Sequence, residues 1–90
     1  MCTYQTTSLG VRGSGKGARG WFPLSDATVY FDHPVHARAD HTLNIDLLNP
    51  AKGTDARVAV ELDAASARAL AEAILTTLEN VPPGLRETTG

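Results

Sequence analysis

Apolar and polar residues alternate with a period of two along three stretches of this chain, and with a period near 3.6 along a fourth. In "DATVYFDH", residues 26–33, Ala27, Val29, Phe31 and His33 share one face, with Thr28, Tyr30 and Asp32 on the other. In "HTLNIDLL", residues 41–48, Leu43, Ile45 and Leu47 alternate with Thr42, Asn44 and Asp46; in "ARVAVEL", residues 56–62, Val58, Val60 and Leu62 repeat the pattern. Successive side chains of a strand point to opposite faces, so these are three half-buried strands. "TYQTTSLGV", residues 3–11, is rich in β-branched and aromatic types and predicts a first strand. Its threonines leave both faces polar, which suits an edge position or a subunit contact. "RGSGKGARG", residues 12–20, with four glycines, predicts a flexible loop, and "NPAKGTD", residues 49–55, a turn.

Asp63 stands where a helix N-cap belongs. Beyond it Ala67, Leu70, Ala71, Ile74, Leu75 and Leu78 form an apolar stripe at helical spacing, with Arg68, Glu72, Thr76 and Glu79 on the wet side. This stripe predicts a core-facing helix, stopped by Pro82 and Pro83. The order is β–β–β–β–α. Short connections force antiparallel neighbours, because a parallel crossover needs about a dozen residues. The expectation is therefore an α+β fold, a four-stranded antiparallel meander forming a curved sheet with one C-terminal helix packed on it. Residues 1–80 form a single domain and residues 81–90 a polar tail. One helix covers only part of one sheet face; the other face carries Thr28 and Tyr30, and a homodimer is expected to cover part of it.

Composition narrows the function classes. The chain has 90 residues, 42% of them hydrophobic and 20% charged, as a folded domain requires. Its formal net charge of −2 gives no support for nucleic-acid binding, although Arg12, Lys16 and Arg19 cluster locally. No apolar run approaches the ~20 residues that span a bilayer, and the polar "MCTYQTTS" is no signal peptide, so no membrane association is expected. Cys2 is the single cysteine. No internal disulfide can form, and a reducing cytoplasm is the expected location.

One segment concentrates chemistry. All three histidines lie within "FDHPVHARADH", residues 31–41. By parity His33 and His41 sit on the apolar faces of adjacent strands, facing each other if residues 34–40 form a hairpin-like loop. Opposed positions have Cβ atoms about 4.5–5.5 Å apart, and two imidazoles at that separation suit zinc, copper or iron at ~2.0–2.1 Å per bond. His36 reaches in from the loop as a third ligand, and Asp32, Asp40, Asp46 or Cys2 supply further donors. The plainer alternative is that the rings hydrogen-bond to neighbouring aspartates and close the end of the sheet.

Two other features carry less. "GVRGSGKG" matches a phosphate-binding loop at Gly10, Gly15 and Lys16 but fails at Gly17, where a serine or threonine should hold magnesium. A strand rather than a helix follows it. "GWFP", residues 20–23, predicts a core or interface anchor.

The blocks "MCTYQT", "GSGKGARGWFPL", "VYFDHPVHA", "HTLNID" and "ARVAVEL…SARAL" together resemble a small actinobacterial family of roughly 90-residue proteins with no assigned function. The resemblance runs from residue 1 to about 80 and implies a stand-alone, cytoplasmic bacterial protein. It brings no catalytic residues. Three functions compete. The first is a small metal-binding domain, or a metalloenzyme built on it, with His33, His36 and His41 as ligands and zinc the expected ion. The second is a metal-free module that holds a small-molecule ligand or partner chain, with the Gly13–Gly20 segment as an adaptable rim. The third is a metal-free isomerase or cyclase using a histidine or Cys2.

Overall fold

The structure is a computed structural model that describes residues 5–34, 38 and 40–86. Four strands, β1 (Thr6–Gly17), β2 (Gly20–Asp32), β3 (Thr42–Leu48) and β4 (Arg57–Leu62), form one antiparallel sheet in chain order. Two helices follow, α1 (Ala64–Glu79) and a short α2 (Pro83–Arg86). The predicted α+β meander is the architecture observed. The polar tail differs from expectation in holding α2, with Pro83 at the first helical position, where a missing N–H costs nothing.

The register follows from the alternation. Val29 opposes Ile45 and Phe31 opposes Leu43 across β2 and β3, while Ile45 opposes Val60 and Leu43 opposes Leu62 across β3 and β4. With Leu47 against both Ala27 and Val58, these side chains make one apolar face. The opposite face carries Tyr30, Asn44, Asp46 and Arg57. There Arg57 clasps Asp46 through Nη2 at 2.7 Å. Burial, the Asp46 charge and a hydrogen bond to Asp46 hold the Tyr30 phenol above its ordinary pKa of 10.0.

Residues 12–17 were expected in a loop but belong to β1, which runs to Gly17 before a two-residue tip, Ala18–Arg19. Gly20 takes the left-handed φ of 110° after that tip, a backbone state glycine reaches without a Cβ penalty. A bulge between Gly10 and Gly13, with Val11 and Arg12 on β1 against Ser25 on β2, bends the ribbon. The bent hairpin folds over the β3–β4 connection. A Cβ on Gly15 would lie 3.0 Å from Leu24 Cδ2 and 3.4 Å from Val58 Cγ2, and one on Gly17 would lie 3.2 Å from the Asp55 carbonyl. The glycines are there because two backbones nearly touch, not because the segment is loose.

Packing is uneven on the apolar side, while on the polar side Thr42 and Asn44 are buried, Thr42 Oγ1 donating to Asn44 Oδ1 at 2.6 Å. At the glycine end Ala27, Ala56 and Asn49 are buried, Asn49 donating from Nδ2 to the Pro23 carbonyl at 2.9 Å. At the other end α1 leans over β3 without closing on it. Asp63 caps the helix as expected, its carboxylate accepting the Ser66 N–H at 2.7 Å, and that bond holds its pKa below the usual carboxylate value. Yet no residue of α1 is buried. The stripe read as core is exposed: Leu70 44%, Ile74 53%, Leu75 61% and Leu78 50%. Trp21, expected as an anchor, is 72% exposed, opposite Lys16 on the hairpin. Among the described residues, the buried hydrophobic side chains are two alanines.

Candidate functional site

The last register pair of β2 and β3 is Asp32 with Thr42, so the next positions outward are His33 and His41. Parity puts both on the apolar face, and their rings stack there with centroids 4.5 Å apart and planes 29° from parallel. Phe31, diagonal to His41 across the ladder, also stacks with it at 5.8 Å. The result is a three-ring ladder, Phe31–His41–His33, at the open end of the sheet. The His33 ring closes the connection by donating from Nδ1 to the Asp40 carbonyl at 2.8 Å. A carbonyl only accepts, so Nδ1 carries the proton and the neutral ring has its lone pair on Nε2.

The two rings expected to face each other do so, but face to face rather than edge to edge. Imidazole lone pairs lie in the ring plane, and two planes stacked at this separation do not meet at a point ~2.0–2.1 Å from a nitrogen of each. Ion binding would require at least one ring to turn. His36 and Cys2 lie outside the described residues. Asp46 belongs to the opposite face, paired with Arg57, and cannot join the histidines. Asp32 accepts the His33 backbone N–H at 2.7 Å, and Asp40 contributes its backbone carbonyl. Among the described residues no group of three or more His, Cys, Asp or Glu side chains is placed to hold a metal ion.

A larger feature adjoins this ladder. Phe31 also lines an apolar cleft of about 940 Å³ between the sheet and α1. Its floor is Val29, Phe31, Leu43 and Ile45; its helix wall includes Ala67, Leu70, Ala71, Ile74 and Leu75, with Arg68 and Glu72 as its charged members. The glycine segment expected as the rim of a binding surface is at the other end of the sheet and contributes nothing to it. Sequence periodicity located the floor and the apolar residues Ala67, Leu70, Ala71, Ile74 and Leu75 of the helix wall but assumed that the two touch, whereas Arg68 and Glu72, assigned to the wet side, border the cleft. The signal that floor and wall do not touch was the ratio of materials: one amphipathic helix with six alanines against three strands of branched side chains is too thin to fill the space.

The chemistry this arrangement permits is burial of apolar surface, bounded by two opposite charges and ending at a histidine pair. No helix among the described residues is long and apolar enough to cross a membrane. No curated protein and no solved structure matches the chain. A family model matches residues 1–87, nearly its whole length, and the chain accordingly belongs to a family of unknown function (DUF6295).

Proposed function

We propose that the protein is a metal-free binding module whose working surface is the apolar cleft between the sheet and α1, and that it takes up the apolar surface of another polypeptide. The observation that carries this reading is the exposed stripe Leu70–Ile74–Leu75, extended past the cleft by Leu78, standing opposite Val29, Phe31, Leu43 and Ile45. Contiguous apolar surface of this extent is rare on a finished monomer and marks interaction sites. Its low polarity suits hydrophobic side chains better than a polar substrate.

The probe is anilinonaphthalene sulfonate, a dye that fluoresces in apolar sites. Diluted protein should bind it saturably while its near-UV circular dichroism stays native, and Ile74→Glu should weaken that binding at least about 10-fold by placing a carboxylate in the cleft. Glutamate is a good helix former and position 74 is half-exposed, so the variant folds. Diluted wild-type protein that binds no dye would mean that the cleft closes in solution, and the reading would fall.

A second reading keeps the ion. His33, His36 and His41 would hold zinc, copper or iron after one ring turns. It is favoured by the His33 Nδ1 bond to the Asp40 carbonyl, since metal-bound histidines commonly donate their other N–H to a carbonyl or carboxylate. Added zinc or copper should then raise the melting temperature of wild-type protein and not of His33→Ala. Equal melting of the two with and without metal would dismiss it.

A further inference from the structure

We infer that the polypeptide taken up by the cleft is a second copy of this chain, its α1 lying antiparallel against the first α1 about a two-fold axis. The inference rests on the binding-module reading and names its partner. A folded monomer of this mass exposes about 5,000 Å², whereas this chain exposes 6824 Å². Leu70, Ile74, Leu75 and Leu78, 44–61% exposed, place part of that excess on the α1 stripe, where a standard stable interface buries ~800 Å² per partner. With two alanines as its buried hydrophobic residues among those described, the chain gains most from a partner always present at its own concentration.

The stripe is self-complementary. An antiparallel pair centred between Glu72 and Ala73 sets small against large along its centre line, Ala67 facing Leu78 and Ala71 facing Ile74, with Leu70 and Leu75 at the same level on the flanks. A two-fold axis repeats each contact, so one matched register is satisfied twice. The same register brings Arg68 of one copy opposite Thr77 of the other, with Glu79 two residues further, about 3 Å of helix rise. Both charges then flank the seam with opposite signs in contact range, and the leucines that stand over the cleft gain a second wall.

Sedimentation equilibrium of the full chain, with dye fluorescence followed over the same concentrations, separates this inference from the reading beneath it. The wild type should dimerise and release the dye as it does so. Ile74→Glu or Leu70→Glu should weaken association at least about 100-fold, while Leu85→Glu, exposed on α2, should leave it unchanged. A cross-link checks the register. In a Cys2→Ser background, equal amounts of Ala67→Cys and Leu78→Cys chains should form a mixed disulfide. Neither chain should bridge to itself, since identical positions are then about 16 Å apart along the seam. A wild type that stays monomeric and keeps its dye at every concentration would overturn the second copy but not the cleft. So would a dimer indifferent to both stripe substitutions, or self-bridging of Ala67→Cys.

Discussion

Gly17→Val is expected to destabilise the protein by about 3 kcal/mol, lowering the melting temperature by about 15 °C. The first added atom alone would stand 3.1 Å from Phe22 Cε1, 3.2 Å from the Asp55 carbonyl oxygen and 3.3 Å from the Arg57 carbonyl oxygen. The phenyl ring can swing aside, but the two carbonyls are main chain and can yield only if the hairpin lifts off the start of β4. Two further methyl groups deepen the conflict. For a chain of this length total stability is about 5–13 kcal/mol and tends to the low end in small cores, so the loss is a large share. Gly13→Ala is the matched control. Its Cβ meets nothing within 4 Å, and the more restricted unfolded chain should leave stability unchanged or raise it by a few tenths of a kcal/mol. Equal melting of Gly17→Val and wild type would show that the hairpin does not fold over β4.

The glycine segment also marks where sequence patterns stop being informative. The alternations at 26–32, 42–48 and 57–62 specify strands, faces and register together, because one buried face makes a one-residue slip costly. Asp63 and the stripe behind it specify α1 for equally local reasons. A run of glycines carries no periodicity, since it has no side chains to alternate. Whether it is a loop or a strand under another backbone depends on β4, which follows it by about forty residues.

The candidate site divides along the same line. The pairing of His33 with His41 was legible because parity and a short connection settle it. The way the rings meet was not, because side-chain torsions are set by Phe31 on one side and the Asp40 carbonyl on the other. The cleft was legible only as two apolar faces. Periodicity says that a face seeks cover, and nothing in it says whether the cover comes from the same chain.

Asn49→Ala is expected to cost about 2–3 kcal/mol in urea denaturation, more than a turn residue ordinarily would. The residue bridges three segments, two through its side chain and one through its backbone. Its Oδ1 accepts the Ala51 N–H at 3.2 Å, capping the turn at Pro50–Lys52, and its Nδ2 donates to the Pro23 carbonyl of β2. Its own backbone N–H reaches the Ala56 carbonyl at 3.0 Å. Removing the amide takes away the donor to the Pro23 carbonyl in this part-buried corner, a penalty larger than the lost cap alone. Asn49→Asp tells the two bonds apart. The carboxylate keeps the cap but sets negative oxygen against the Pro23 carbonyl, so this variant should be as weak as alanine near neutral pH. Burial beside a carbonyl raises the folded-state pKa of the new group, so the penalty appears as pH rises through the unfolded carboxyl value of about 3.9. Below that value the protonated acid donates to Pro23, and Asn49→Asp should recover toward wild type while Asn49→Ala does not. Parallel pH profiles for the two variants would mean that the bond to Pro23 contributes little, leaving the hairpin held mainly by the close approach of Gly15 and Gly17 to β4.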